Sequence, residues 1–223
     1  MRQRLLCLLS AALLLLSACG ADGAAGSGSQ SDTSAPALSQ QEPVTTPFTL
    51  AAYPSYSFHP ALAANRANLT LAPLLYEPLF QLDASFQAQP VLCQSYTASG
   101  DGLTWTFTLR SGVTFSDGTP LTGQTVADAL NTARGAESRY ASRLSGVTGV
   151  EASGENTVTI TLSRPNGNLP LLLDIPIALG TGDRPAGTGP YVFSQQGDSL
   201  ALTARSGWWQ GKALPFTEIP PRA

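Results

Sequence analysis

Side chains able to do chemistry are scarce in this chain of 223 residues. It holds one histidine and three cysteines, and charged residues make up only 12% of it. His59 has no Cys or His partner at metal-ligand spacing, which argues against a metal centre and leaves it a loop role. With a single loop histidine and no Gly-x-Ser-x-Gly elbow, a Ser-His-Asp machinery has no credible base. Glu77, Asp83, Asp101 and Asp117 are scattered at turns and helix ends rather than paired. Neither an enzyme nor a cofactor is expected. The Gly-rich run GTGDRPAGTGP, Gly180 to Pro190, does not read as a phosphate cradle, because no helix with Lys-Ser/Thr follows and Pro190 leads into a strand. The formal net charge of -3 leaves no basic patch. That argues against nucleic acid as a partner and gives no polybasic help in membrane binding.

Long hydrophobic runs are also missing, apart from one at the start. Arg2 and Arg4 precede an apolar stretch, Leu5 to Leu16, of about a dozen residues, too short to span roughly 30 Å of hydrocarbon. It fits a secretory signal peptide over residues 1–18. The following Leu16-Ser17-Ala18-Cys19 resembles the bacterial lipobox, in which cleavage before the cysteine leaves its thiol carrying diacylglycerol. Cys19 is therefore the expected lipidation site, Cys7 leaves with the signal, and Cys93 remains alone. One thiol forms no internal disulfide, so an exported fold must rely on its core. Cys93, flanked by apolar neighbours, reads as a buried structural residue. Residues 19–47 are Gly, Ala, Ser, Thr, Gln and Pro with almost no large apolar side chain, a composition that predicts a disordered tether.

About 175 residues remain, enough for one good core or two small ones. LTWTFTL alternates, with Leu103, Trp105, Phe107 and Leu109 on one face of a predicted strand. Val113 and Phe115 resume beyond Gly112, and Asp117-Gly118 makes a tight turn. Thr122 is placed to cap a helix through about Ala136, with Val126, Leu130 and Ala133 on one face. Two further hairpins follow: GVTGVEA with TVTITLS, and YVFSQQ with SLALTAR about Gly197-Asp198. FTLAA reads as a first strand and Asn65 to Phe80 as a helix disturbed by Pro73 and Pro78. Pairing past Ile219 is expected to be poor, because Pro220 and Pro221 donate nothing to a ladder.

Three blocks occur in a telling order: Tyr76-Glu77-x-Leu79-Phe80, then Phe115-Ser116-Asp117-Gly118-Thr119-Pro120-Leu121, then Gly187-Thr188-Gly189-Pro190-Tyr191. With Trp208-Trp209 they resemble the family 5 solute-binding proteins of peptide and nickel ABC importers, the oligopeptide- and dipeptide-binding group. The likeness runs from about Phe48 to Ile219. Two departures stand out: His59 where relatives often carry an acidic residue, and Gly123-Gln124-Thr125 where their helix often begins with acidic ones. The resemblance implies a mixed α/β, periplasmic-binding-protein-like fold of type II. Residues 48–75 and 176–223 would belong to the first lobe, 76–175 would form an inserted small β-rich domain, and the second lobe would be missing. The ending IPPRA then reads as a truncation. The surface a second lobe would cover is expected to show as an apolar patch around Trp208 and Trp209.

The resemblance further implies a lipid-anchored component of an ABC importer, facing outside the cytoplasm, with an oligopeptide or similar small solute as ligand. An ABC permease would be its partner. By position, Ala63, Ala64, Asn65 and Arg66 would face the ligand, with Arg66 able to fork onto a carboxylate or simply to start a helix in solvent. Gly187 to Tyr191 would be structural, its glycines permitting a close approach. Two rival readings stay open: a non-transporting surface module that binds another partner, and a non-functional remnant.

Overall fold

The computed structural model describes residues 49–196 and 199–222; the signal segment, Cys19 and the tether lie outside them. The chain begins with β1 (Leu50–Ala51), then α1 (Arg66–Thr70) and α2 (Ala72–Leu75). Four strands follow: β2 (Phe80–Leu82), β3 (Ala88–Pro90), β4 (Cys93–Ala98) and β5 (Thr104–Leu109). Helix α3 (Gly123–Arg134) leads to β6 (Val147–Gly154), β7 (Thr157–Leu162) and α4 (Leu169–Leu172). The rest is β8 (Ala178–Leu179), β9 (Ala186–Gly187), β10 (Tyr191–Gln196), β11 (Ser199–Ala204), β12 (Glu218–Ile219) and β13 (Pro221–Arg222).

The alternation read in LTWTFTL becomes β5, which buries Trp105, Phe107 and Leu109. It lies inside an antiparallel sheet of order β4-β5-β7-β6, where Trp105 pairs with Ile160 and Phe107 with Val158. Helix α3 covers the apolar face with Val126, Ala127, Leu130 and Ala133. Thr122 caps it as the sequence predicts, through a reciprocal box with Thr125. These side chains join Leu79, Phe80, Leu92, Cys93, Leu173, Ile175 and Ile177 in one core. A second core gathers Ala52, Phe58, Leu71, Leu75, Tyr76, Ala178, Tyr191, Leu200, Leu202 and Ile219.

Three local expectations give way. The single helix from Asn65 to Phe80 is replaced by two short ones. Asn65 caps α1, and Pro73 sits in the first turn of α2, where a missing N–H costs nothing. Tyr76 is extended, and Pro78 forbids its predecessor the helical region, so the chain leaves as a bridge from Pro78 to Pro176. The first strand is only Leu50–Ala51. Pairing also continues past Ile219: β13 runs parallel to β1, with Leu50 opposite Pro221 and Ala51 opposite Arg222. A proline lacks a donor but keeps its carbonyl acceptor, and Arg222 still has an N–H. No helix among the described residues is long and apolar enough to cross a membrane.

Candidate functional site

The segment between β1 and α1 has no regular structure, yet two buried polar side chains hold it. Asn68, on α1, is 1% exposed. Its Oδ1 accepts from the Tyr53 N–H at 2.8 Å, and its two Nδ2 hydrogens are shared among the carbonyls of Tyr53, Tyr56 and Ser57 at 3.0, 3.2 and 3.2 Å. One carboxamide thereby fixes the start of the loop. His59 is buried too, and its Nδ1 accepts from the N–H groups of Ala61 (3.1 Å) and Leu62 (3.2 Å). Its Nε2 then carries the proton and donates to the Gly180 carbonyl at 3.2 Å. Burial lowers the imidazole's pKa, opposed by hydrogen bonds to the backbone of Gly180 and of His59 itself. His59 thus keeps its loop position, but as the loop's interior brace.

The outer surface of this loop is aromatic and cationic. Tyr53 and Tyr56 are 41% and 57% exposed and meet edge to face at 6.5 Å. Arg184 donates to the Pro54 carbonyl at 3.0 Å and lies over the Phe58 ring at 6.0 Å. The four residues singled out in the sequence lie where this loop enters α1. Ala63 is buried, with its N–H on the His59 carbonyl at 2.9 Å. Asn65 spends its side chain on the Asn68 N–H at 3.1 Å as the helix cap. Only Ala64 and Arg66 are exposed. Tyr53, Tyr56 and Arg184 were not singled out. The run YPSYS offered a signal, since aromatics between Pro and Ser in a loop have no core face to fill.

A second feature lies where β2 and the turn after β11 meet, in a cleft of about 440 Å³ lined by Tyr76, Glu77, Gln81, Asp174, Trp208 and Gln210 among others. Glu77 is buried; its Oε2 accepts from Trp209 Nε1 at 2.6 Å and its Oε1 from Gln210 Nε2 at 2.7 Å. Burial raises its pKa, and the donors oppose that rise. Thr188 and Trp208 lie close enough to act on it in the same sense, although Thr188 Oγ1 and Trp208 Nε1 fall outside hydrogen-bond geometry. Arg205 reaches the Thr114 and Phe115 carbonyls at 2.9 and 2.7 Å, and Asp174 pairs with Arg143. Trp209 packs on the first core under Arg110, and both tryptophans are half-buried, so the expected apolar patch is not there. Among the described residues, the large exposed apolar side chains are instead Tyr53, Tyr56, Phe86, Tyr96 and Phe216.

The remaining chemical candidates serve structure. Cys93 is fully buried and its thiol is pushed up to about 11, chiefly by burial. Asp83, Asp101 and Asp117 each accept from backbone N–H groups of their own turns. Gly187 and Gly189 pass so close to Leu75 that a Cβ on either would collide with its backbone, and Gly189 donates to the Leu75 carbonyl at 3.0 Å. Among the described residues no three His, Cys, Asp or Glu side chains cluster around a possible metal position.

Comparison with known proteins supplies context. Residues 87–219 match the family described as bacterial extracellular solute-binding proteins, family 5 Middle. The glutathione-binding protein GsiB of Salmonella paratyphi A is 30% identical over 198 residues, covering 75% of this chain and 38% of that protein. GsiB of Escherichia coli O1:K1 / APEC is 32% identical over 165 residues, covering 66% of this chain and 32% of the relative. This chain therefore spans less than half the length of the curated relatives it matches. NikZ from Campylobacter jejuni, solved with Ni(L-His), superposes with a TM-score of 0.65 at 20% identity, over 78% of this chain and 38% of NikZ. MoaA from A. tumefacien R10, solved with mannopinic acid, gives 0.64 at 29% identity, over 72% and 36%. The matched architecture is the type II binding-protein fold of mixed α and β.

Proposed function

Because the chain belongs to the bacterial extracellular solute-binding proteins of family 5, we propose that it is the solute-receiving part of an ABC importer. In this reading it is anchored outside the cytoplasm by lipid on Cys19 and works with an ABC permease. The second core, with residues 48–75 and 176–223, is part of the first lobe, and residues 76–175 are the inserted domain. The relatives matched are solute-binding proteins rather than enzymes.

The observation that carries the ligand reading is the braced loop from Tyr53 to Arg66. It presents two exposed aromatic rings and an exposed guanidinium from a backbone fixed by buried Asn68 and His59. Such a loop costs little ordering entropy when a ligand arrives. Of the relatives at comparable identity, GsiB is named as binding glutathione, a tripeptide, and MoaA was solved with mannopinic acid. Both ligands carry carboxylates. Our proposed ligand is therefore a small, carboxylate-bearing peptide or peptide-like solute, with Ala63 to Arg66 beside it and Arg66 forking onto its carboxylate.

Calorimetric titration of the full chain with glutathione and with di- to hexapeptides tests this. Saturable heat that falls at least tenfold in affinity on Arg66→Ala is the expected result. Absence of heat with every peptide, from a chain that still melts cooperatively, overturns it. Incorporation of labelled palmitate that disappears on Cys19→Ala checks the anchor separately.

A further inference from the structure

We infer that His59 is a positioning residue for this loop, and that only its neutral form holds the loop in binding geometry, so that solute binding is gated by mild acid. The inference rests on the reading of residues 53–66 as ligand-facing.

The geometry makes the protonation state decisive. Nδ1 faces two backbone donors, the N–H groups of Ala61 and Leu62, and Nε2 faces an acceptor, the Gly180 carbonyl. A neutral ring protonated at Nε2 satisfies all three contacts. A second proton, on Nδ1, would point N–H at N–H and strip two donors of their acceptor at once. The ring is 3% exposed, so water cannot take the acceptor's place without the loop opening. Ala61 and Leu62 immediately precede Ala63 to Arg66, and the Gly180 contact ties the loop to the segment that also carries Asp183 and Arg184. Opening here therefore moves the proposed ligand-facing residues.

The contacts that hold the ring in place are all to backbone groups. The charged side chains on the elements around it are Arg66 at the start of α1, Arg139 after α3, and Asp183 and Arg184 beyond Gly180. Burial lowers the ring's pKa, and hydrogen bonds to the backbone of Gly180 and of His59 oppose that. The sign follows. The folded loop binds the proton less readily than the open one, so closure is fully favourable above the ordinary imidazole value of 6.5 and weakens as pH falls below it.

His59 is the chain's one histidine, so its ring resonances need no assignment by elimination. Amide hydrogen exchange of the full chain, corrected for intrinsic rates, reads the closed state at Ala61 and Leu62. One proton coupled to opening predicts that their protection falls about tenfold between about pH 7.5 and 5.5. The variant His59→Asn separates positioning from bulk. An Asn oxygen accepts from the N–H groups two and three residues on, as Asn166 does for Asn168 and Asn65 for Asn68 in this chain, and does not titrate. Its Ala61 and Leu62 protection should stay flat with pH, and His59→Ala should lose it at both pH values. Glutathione, which has no group titrating in this range, serves as the binding probe. Its affinity for the native chain follows the closed fraction, so it should fall over the same interval by at most about tenfold, and for His59→Asn it should not change with pH.

Protection that is pH-independent in the native chain, or a pH dependence retained in His59→Asn, overturns the inference. Failure of glutathione and other peptides to bind at any pH sinks the ligand reading and, with it, the gating of solute. The exchange data would still decide whether His59 controls the loop.

Discussion

Asn68→Ala is the sharpest test of how the loop is held. The substitution removes one acceptor and two shared donors, leaving the Tyr53 N–H and the Tyr56 and Ser57 carbonyls to find other partners, while the Tyr53 carbonyl keeps the Tyr56 N–H. A protein hydrogen bond contributes about 1 kcal/mol net, and a buried group left unsatisfied costs about 1–3 kcal/mol. Tyr53 and Tyr56 sit at the surface, so water will recover part of the loss, and the expected cost is about 2–4 kcal/mol. Urea unfolding of the full chain measures it, and exchange of the Tyr56 amide, which donates to the Tyr53 carbonyl at 3.0 Å, localises it. Asn68→Asp sharpens the test. Its carboxylate still accepts from Tyr53 but turns its other oxygen on three carbonyls, so the deficit should deepen as pH rises above about 4. A change within about 0.5 kcal/mol for Asn68→Ala, with the Tyr56 amide as protected as before, would refute the idea that this carboxamide organises the loop.

Other outcomes follow from the remaining geometry. Glu77→Gln leaves one acceptor oxygen where Trp209 and Gln210 both donate, so it should cost about 1–3 kcal/mol in urea unfolding. Since burial raises the Glu77 pKa, the native chain should lose stability as pH climbs from 4.5 through the folded-state value, a slope the Gln variant lacks. Gly187→Ala forces a methyl into the Leu75 carbonyl, and a drop of about 3 kcal/mol or more is expected by the same assay, with loss of the Gly189 amide protection. The Cys93 thiol, pushed up to about 11 and buried, should resist iodoacetamide at neutral pH until the chain unfolds, read by mass on the peptide that contains it.

Local patterns were legible in the sequence where a residue's neighbours along the chain decide its fate. The alternation about Trp105 and Phe107 and the Thr122 cap needed no distant partner, and the hairpin of GVTGVEA with TVTITLS likewise formed where it was read. The helix from Asn65 stops at Leu75 because Pro78 keeps its predecessor out of the helical region, and the partner this exit finds, Pro176, lies nearly a hundred residues away in sequence. Trp209 looked like surface because Glu77, the acceptor that draws it inward, lies 132 residues earlier. The site was half legible. Arg66 and its neighbours were singled out by position alone, whereas the two braces, Asn68 and His59, are polar residues whose burial no local pattern shows.

The Glu77 bond to Trp209 has a bearing on the order in which the chain folds. A flexible loop of 132 residues costs about 4 kcal/mol to close by its length alone. The sheet of β4 to β7 is built from neighbouring hairpins and can assemble first. Until Trp209 and Gln210 arrive, the Glu77 carboxyl stands in water, ionised and without its two donors. Their arrival removes it from solvent, and the Arg205 contacts to Thr114 and Phe115 close at the same stage. The earlier core thus ends with a polar socket that only the late segment fills, so the native chain is expected to release that segment first when it unfolds.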